Sequence, residues 1–307
     1  MRRWAAAWGD RASRCGRAAA LAAMLAATFA AAGCQGAAAG HGPGSGSGSP
    51  ADAASPAAPS PAPGGGQASL AYRYMTDLHN AAQAARYGYN LVDLGPYRSS
   101  IDALPAGERA LVWIGNYSHA TCSFTMTDAS VRGALSRLAG NPKVAGYYIA
   151  DDADYALPAD GGHCPDVAAQ VTARSRLVHQ LAPGTFTYEV VSEPGNYAAF
   201  AHATDVMGAD PYPCLRGRRC NWALIPADIA ALNAAHVPRY WAVLQAFGYR
   251  QWRFPTPAEL ARMISQWQRS RWQGEQTFTW DWRGSSLAQH PGLLAVLRNL
   301  NRGKPQS

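Results

Sequence analysis

Three aspartates come at the ends of apolar segments that are typical of β-strands. Asp151 and Asp152 follow residues 144–150, and Asp210 follows residues 205–208. A carboxyl group donates a proton when protonated and accepts one when ionised, so two of them on opposite sides of a bond can hydrolyse it as general acid and general base. These aspartates are the candidate catalytic residues. The alternative is that they cap a helix or hold a loop.

Five further side chains at the ends of such segments could hold a ligand: Tyr212, Gln245, Trp280, Asp281 and Trp282. Aromatic faces stack on flat ligand surfaces, although packing in the core is their commoner use. Trp280 and Trp282 are two residues apart, so alternation along a strand predicts that both lie on one face. Gln245 cannot be a nucleophile. It could hydrogen-bond a hydroxyl or orient a water, or it could be a buried amide satisfied by neighbouring backbone.

The elements that must position these residues alternate in type from residue 69 onward. Short β-rich segments and helical patterns follow one another, which is typical of a parallel sheet. The eight strand segments are 70–75, 89–94, 110–115, 144–150, 186–191, 205–208, 240–246 and 276–280. The main helical segments are 127–139, 165–181, 226–236, 256–273 and 286–301, with Thr127 and Thr256 as helix caps.

Eight strand–helix units in about 235 residues predict an α/β fold, a (β/α)8 TIM barrel, over residues 68–303. A doubly wound sheet is the alternative, but no G-x-G-x-x-G follows the first strand. The candidate residues fall at the carboxyl ends of the strands, where such barrels carry their active sites. Asp152 has the parity of Tyr148 and Ala150, which predicts that Asp152 points into the barrel mouth.

The first 33 residues are typical of a bacterial export signal. Residues 18–32 carry no charge, and this run is shorter than the about 20 residues of a membrane-spanning helix. The small residues before Cys34 resemble a lipoprotein lipobox, with Ala31 where leucine is usual, which implies lipidation of Cys34. Residues 34–67 are predicted to be a disordered linker rich in Ala, Gly, Ser and Pro. We expect an extracytoplasmic protein held to the membrane by its lipid alone; an ordinary secreted protein is the alternative.

Four cysteines lie in the predicted barrel: Cys122, Cys164, Cys214 and Cys220. Export favours disulfides. Three pairings are possible, and closeness in sequence favours Cys214 with Cys220, which leaves Cys122 with Cys164. A zinc site is the alternative, but there is no C-x-x-C pair and no H-E-x-x-H. We therefore expect no metal and no cofactor.

The charge of the chain argues against nucleic acid as a partner. The net charge is 27 − 20 = +7, but residues 1–33 hold five arginines and one acid, which leaves 22 − 19 = +3. No helix-turn-helix, zinc-finger or RNA-recognition signature accompanies this charge. Arg216, Arg218 and Arg219 lie between two cysteines, where they could attract an anionic ligand or serve solubility.

The predicted barrel resembles the (β/α)8 glycoside hydrolase superfamily, especially secreted bacterial lipoproteins whose fourth strand ends in Tyr-Ile-Ala-Asp-Glu-Pro. The matching residues here are Tyr148-Ile-Ala-Asp151-Asp152-Ala153, and the similarity extends through 208–213, Gln245 and 280–282. The resemblance implies that Asp152 matches the catalytic glutamate, one methylene shorter. Gln245 stands where retaining relatives have a glutamate, so the chain could be an inverting enzyme or a barrel that binds without chemistry.

These observations support three hypotheses. The first is a cell-surface glycosidase that hydrolyses an O-glycosidic bond, with Asp152 as general acid, Asp210 as base, and Trp280 and Tyr212 holding the sugar. The second is an inactive glycan-binding lipoprotein, and the third is a structural protein of the envelope. We expect a monomer whose partner is a carbohydrate, neutral or anionic.

Overall fold

The computed structural model describes residues 72–76 and 81–303. The predicted signal peptide, the lipidation site Cys34, the linker and the tail 304–307 lie outside the described residues. Within the described residues, no helix is both long enough and apolar enough to cross a membrane.

Eight parallel strands close into a barrel, which confirms the predicted fold. Each strand pairs with its neighbours along the chain, and the last strand pairs with the first. Every strand overlaps one of the predicted segments. In chain order they are β1 (Tyr72–Met75), β2 (Leu91–Leu94), β3 (Arg109–Trp113), β4 (Val144–Asp151), β5 (Phe186–Val191), β6 (Val206–Ala209), β7 (Tyr240–Gln245) and β8 (Gly274–Phe278).

An α-helix follows each barrel strand. The helices are α1 (Ala81–Arg86), α2 (Arg98–Asp102), α3 (Asp128–Leu138), α4 (Val167–Leu181), α5 (Tyr197–Phe200), α6 (Leu224–Ala234), α7 (Pro257–Trp267) and α8 (Pro291–Asn301). The helices α1, α2 and α5 have only six, five and four residues, because only 15, 14 and 14 residues separate the strands on either side of them.

The predicted helix caps are present. Thr127 Oγ1 accepts a hydrogen bond from the Ser130 backbone N–H at 3.2 Å and so begins α3. At the start of α7, Thr256 Oγ1 accepts from the Glu259 N–H at 3.2 Å, while Glu259 accepts from the Thr256 N–H at 2.8 Å. This capping box satisfies two N–H groups that have no partner inside the helix.

The predicted bounds of α3 and α4 differ from the structure by one or two residues, and those of the other three predicted helices differ for identifiable reasons. The helix α6 begins two residues before Pro226, which fits in the first turn because N–H groups there need no helical partner. The helix α7 ends at Trp267, whose carbonyl accepts from the Ser270 hydroxyl at 2.7 Å. The helix α8 begins only at Pro291, because a 3-10 turn (Leu287–Gln289) precedes it.

Two apolar layers build the core. The outer layer lies between the barrel and the helices. The barrel interior is unusually aromatic, and a Cβ at Gly208 or Gly274 would overlap Tyr188 or Trp241. Glycine is therefore required at these two inward positions to admit the large rings. The inner residues include Tyr74, Leu91, Leu111, Tyr148, Tyr188, Trp241 and Val243.

Two disulfides join loops at the carboxyl ends of the strands. They are Cys122–Cys164, with Cα atoms 5.3 Å apart, and Cys214–Cys220, with Cα atoms 4.1 Å apart. This is the pairing that closeness in sequence favours. Two short antiparallel ribbons also extend from this face, one of which pairs Asp281–Trp282 with Ser285–Ser286.

Candidate active site

A β-bulge in β4 decides which of the paired aspartates enters the barrel. Tyr148 pairs with Tyr188 on β5, and Ala150 pairs with the next residue of β5, so Ile149 is an extra residue in β4. Ile149 and Ala150 both pack in the outer layer. The bulge shifts the alternation by one residue, so that Asp151 and Tyr148 share the inner face. The prediction that Asp152 has this orientation was wrong.

Asp151 lies against the aromatic interior at the carboxyl end of the barrel. Its Oδ1 accepts a hydrogen bond from the Tyr148 hydroxyl at 2.9 Å, and its backbone N–H donates to Asn116 Oδ1 at 2.9 Å. Burial raises the pKa of Tyr148, and the charge of Asp151 raises it further. Tyr148 therefore remains a protonated donor to this carboxylate.

Asp210 reaches the same interior from β6. Gly208, two residues earlier, faces Tyr188, and the intervening Ala209 packs in the outer layer. Burial raises the pKa of Tyr188, and the charges of Asp151 and Asp210 raise it further. Both carboxylates thus influence the ionisation of one buried tyrosine. We call Tyr148, Asp151, Tyr188 and Asp210 the mouth site.

The mouth site is supported by polar and aromatic neighbours that the sequence did not single out. The Tyr188 hydroxyl donates to Gln276 Oε1 on β8. Trp113, at the end of β3, is half-buried and packs edge-on against Tyr148, with ring centroids 4.4 Å apart. Tyr148 and Tyr188 both point into the barrel from their strands. A search for aromatic residues that alternate onto the inner face of a strand would have found them in the sequence.

Asp152 belongs to a neighbouring acidic group. It has a left-handed backbone conformation with φ of 52° and accepts a hydrogen bond from the Ser192 hydroxyl. Burial raises the pKa of the adjacent Asp154 to about 7, and the charge of Asp152 contributes to the rise. Asp154 also accepts from the Glu193 N–H at 2.9 Å. Asp152 and Asp154 thus fix the β5–α5 loop by hydrogen bonds. Holding a loop was the structural alternative to a catalytic role for Asp152.

Asp152 and Asp210 nevertheless influence a common residue, Tyr155. Burial raises the pKa of Tyr155, and the charges of Asp152 and Asp210 raise it further. Tyr155 therefore links the acidic group electrostatically to the mouth site. Asp152 can therefore influence the mouth site without sharing the inner face of β4.

Gln245 is a buried amide whose hydrogen bonds go to neighbouring backbone, which was the structural alternative considered for it. Its Nε2 donates to the carbonyls of Cys214 and Arg253, both at 2.9 Å, and its Oε1 accepts from the Cys214 N–H at 2.9 Å. Its side chain is fully buried. Both amide hydrogens are used to join the loops that follow β6 and β7, so the structure does not favour Gln245 as a ligand-binding group.

Trp280 and Trp282 lie in different surroundings, so the prediction that they share one face was wrong. Trp280 packs in the outer layer against Tyr87, with ring centroids 5.8 Å apart, and is only 7% exposed. Trp282 packs with the inner layer against Phe278, with centroids 5.3 Å apart. The strand β8 ends at Phe278, and strict alternation does not extend beyond a strand end.

An aromatic wall continues the barrel interior at the mouth. Tyr212 stacks on Phe278, with centroids 6.1 Å apart, and meets the edge of Phe247 at 5.0 Å. Tyr212 and Trp282 are half-buried, which leaves part of each ring accessible to a ligand. Asp281 is half-buried on the same ribbon as Trp282. The aromatic wall consists of Tyr212, Phe247, Tyr249, Phe278 and Trp282.

Two arginines lie against the aromatic wall. The Arg283 guanidinium is 5.6 Å from the Tyr249 ring centroid and 5.3 Å from that of Trp282. Arg250 lies 5.4 Å from the Tyr249 ring centroid. A hydrogen bond from Arg283 lowers the pKa of Tyr249, and Arg250 contributes to the decrease. The wall therefore has a positive edge. The previously considered Arg216, Arg218 and Arg219 are exposed in the nearby disulfide loop.

Two groups of side chains in the described residues have the spacing of metal ligands, but both contain cystines. Cys122 and Cys164 lie near His163, and Cys214 and Cys220 lie near Glu259. Each pair of cysteines is joined in a disulfide. Cysteine binds a metal ion as a thiolate, which a disulfide-bonded sulfur is not, so neither group fits a metal ion in this state.

Comparisons with known proteins identify the fold. No protein-family model matches the chain, and no curated protein matches its sequence. A solved structure from Bacteroides thetaiotaomicron, provisionally assigned as an alpha-L-fucosidase, is similar with a TM-score of 0.50 and 10% identity; the match covers 77% of this chain and 94% of that one. A beta-galactosidase from Marinomonas ef1 has a TM-score of 0.53 and 9% identity, with 75% of this chain and 58% of that chain covered. The chain has the TIM-barrel fold of these glycoside hydrolases.

Proposed function

We propose that this protein hydrolyses an O-glycosidic bond of a glycan, with Asp151 and Asp210 as the catalytic pair. The observation that carries the proposal is that Asp151 and Asp210 come at the carboxyl ends of β4 and β6, where the charge of each raises the pKa of the buried Tyr188. This is the face on which TIM-barrel enzymes carry their active sites. The fold similarity to glycoside hydrolases supports the reaction class.

The surroundings of the two carboxylates suggest their roles. Asp151 accepts a hydrogen bond from Tyr148, and such a bond stabilises the ionised form. Asp151 is therefore the base that removes a proton from water as the water attacks the anomeric carbon. Asp210 is the acid that protonates the departing glycosidic oxygen. Direct attack by water inverts the anomeric configuration, and it requires no nucleophile at the position of Gln245.

The aromatic wall would bind the sugar. Tyr212 and Trp282 present partly exposed rings beside the carboxylates, and aromatic faces are suitable stacking surfaces for sugar rings. Arg250 and Arg283 favour a glycan with acidic groups, because a guanidinium pairs well with a carboxylate or sulfate. Hydrolysis should therefore be faster with acidic polysaccharides than with neutral ones of similar linkage.

The second candidate function is glycan binding without hydrolysis. It is favoured by Gln245, whose amide stands where retaining relatives of the superfamily have a nucleophile and is fully bound to backbone. The aromatic wall would serve this function equally well. A binding protein would retain glycans and release no products.

A panel of neutral and acidic polysaccharides distinguishes the two functions. The full chain is incubated with each polysaccharide, reducing ends are measured, and retardation is followed by affinity electrophoresis. Release of reducing ends supports the hydrolase. Retardation without release supports the binding protein, and neither result with a folded chain contradicts both proposals.

We also propose that Cys34 is lipidated and holds the protein outside the cytoplasmic membrane. The small residues before Cys34 and the uncharged run before them support the proposal, and so do the two disulfides, which are typical of exported proteins. Labelling with radioactive palmitate in a bacterial host should mark the wild type and not Cys34→Ser. Unlabelled wild type released into the medium would favour the secreted alternative.

A further inference from the structure

A cavity of about 420 Å³ opens at the amino ends of the barrel strands, opposite the mouth site. Its lining includes the first residues of β1, β3 and β5, which are Tyr72, Arg109 and Phe186. The volume lies in the range of small-molecule sites. In TIM barrels this end is associated with stability rather than chemistry, so the proposed hydrolysis does not account for the cavity.

An aromatic cup forms one side of the cavity. The ring centroid of Tyr72 lies 5.0 Å from that of Phe186 and 5.5 Å from that of Trp241, and the last two are 5.6 Å apart. Trp241 is buried at the base, while Tyr72 and Phe186 are half-buried. The rings are tilted relative to one another, so they offer both faces and edges to a flat apolar ligand.

Arg109 supplies a cation that its surroundings do not fully satisfy. Its Nη2 donates to the Val144 carbonyl at 2.9 Å, and its Nη1 lies 3.5 Å from the Tyr72 hydroxyl. None of the ion pairs between described residues includes Arg109, although it lines the cavity. Its guanidinium charge is therefore available to an anion in the cavity.

Arg239 adds a second positive charge to the cavity lining. Its Nη2 lies 3.5 Å from Asp205 Oδ1, and its side chain is 47% exposed. Asp205 also pairs with His179 at 3.0 Å and accepts from the Thr187 N–H at 2.8 Å. One carboxylate is therefore shared among several donors. With His179 neutral, the two arginines and Asp205 give the lining a net positive charge.

We propose that this cavity binds a small aromatic carboxylate. The ligand's carboxylate pairs with Arg109 and Arg239, and its ring packs against Tyr72 and Phe186. Charge and aromatic surface occur together here, and this combination selects an anion with a flat apolar body rather than a bare inorganic anion. The site is separate from the mouth site, so its occupancy does not depend on the proposed hydrolase activity.

Isothermal titration of the full chain with benzoate tests this proposal, with benzyl alcohol as the neutral analogue and inorganic phosphate as the anion without a ring. Benzoate should bind with a Kd of about 1 mM or lower. Benzyl alcohol and phosphate should bind about tenfold or more weakly, because each lacks one of the two recognised features. Arg109→Met and Arg239→Met should each weaken benzoate binding about tenfold, whereas Arg298→Met, an exposed arginine on α8, should leave it unchanged.

The variants also locate the site. Arg109 donates a hydrogen bond to the Val144 carbonyl, so Arg109→Met can lower the stability of the fold. Arg239 is half exposed, so Arg239→Met tests the site without a comparable loss of stability. Thermal unfolding confirms that each variant is folded. Absence of benzoate binding, equal affinity for benzyl alcohol or phosphate, or unchanged benzoate affinity in both cavity variants would overturn the proposal.

Discussion

The hydroxyl of Tyr148 is the group that stabilises the ionised form of the proposed base, Asp151. It donates to Asp151 at 2.9 Å from within a buried aromatic cluster. Burial and the charge of Asp151 raise the pKa of Tyr148, so the phenol stays protonated over the range in which carboxyl groups titrate. Because the phenol keeps its proton in that pH range, it continues to donate to the ionised carboxylate of Asp151, the form that acts as a base.

Removal of this hydroxyl should impair the base. Tyr148→Phe should lower kcat by about tenfold, because the ionised form of Asp151 loses a hydrogen bond. The acid limb of the pH–rate profile should move to higher pH, since a less stabilised carboxylate is protonated more easily. Tyr147→Phe, which changes the adjacent outward tyrosine, is the matched control. A profile of Tyr148→Phe that superimposes on the wild type would exclude this role.

Gln245 is predicted to contribute stability rather than ligand affinity. Gln245→Ala leaves the backbone groups of Cys214 and the Arg253 carbonyl without their partner. We expect the free energy of unfolding to fall by about 3 kcal/mol, because each buried polar group without a partner costs about 1–3 kcal/mol. Urea denaturation measures this effect, with the exposed Gln289→Ala as control. A stable variant with reduced glycan affinity would instead support the ligand-binding role.

At the scale of elements, the sequence predicts the strands and their order along the chain. Most of the strands are short runs of apolar, aromatic or β-branched residues, and that pattern depends only on the residues of the run. The helix starts at Thr127 and Thr256 are equally local, because a cap and the N–H it binds are three residues apart. The pairing of Cys214 with Cys220 follows from the same closeness.

Features that depend on contacts between elements could not be predicted in this way. The bulge at Ile149 arises from the pairing of β4 with β5, and Ile149 itself is an ordinary strand residue. The assignment of Asp152 to the inner face failed for this reason. Trp280 was misplaced because parity was extended past the end of β8. The sequence left two roles open for Gln245, because its partners belong to the loops that follow β6 and β7.

The two disulfides should stabilise the barrel to different extents. Cys122 and Cys164 are 42 residues apart, and Cys214 and Cys220 are six apart. Loop-closure entropy predicts losses of about 4 kcal/mol for the Cys122→Ala/Cys164→Ala variant and about 2 kcal/mol for Cys214→Ala/Cys220→Ala. Urea denaturation under non-reducing conditions measures both. The reverse order of stabilities would show that loop length does not determine the contribution of each disulfide.

The whole molecule should lose stability as pH rises above the acidic range. Burial raises the pKa of Glu275 to about 8, and it raises the pKa values of Asp154 and Asp228 to about 7. Between pH 4.5 and 8 the folded chain therefore holds protons that the unfolded chain releases. Under that condition the free energy of unfolding falls with increasing pH.

A comparison of urea denaturation at pH 5 and pH 9 tests this prediction. The wild type should be less stable at pH 9 by about 1 kcal/mol or more. Glu275→Gln should reduce the difference, because its amide can still accept from Thr277 and does not ionise. Asp166→Asn, an exposed acid, should not change it. Higher stability at pH 9 in the wild type would contradict the assignment of these acids as buried and protonated.

The central claim is that Asp151 and Asp210 together hydrolyse a glycosidic bond. The most direct measurement is the rate of reducing-end release from the polysaccharide panel by the full chain, by Asp151→Asn and by Asp210→Asn. The controls are Asp152→Asn, which changes the adjacent carboxylate outside the inner face, and the exposed Asp166→Asn.

Wild type should release reducing ends, and each of the two mouth-site variants should be slower by about 100-fold or more, the usual contribution of a general acid or base. Asp152→Asn should retain much more activity than either, and Asp166→Asn should match the wild type. Full activity in Asp151→Asn or Asp210→Asn, or no release of reducing ends by the wild type from any glycan, would contradict the proposed active site.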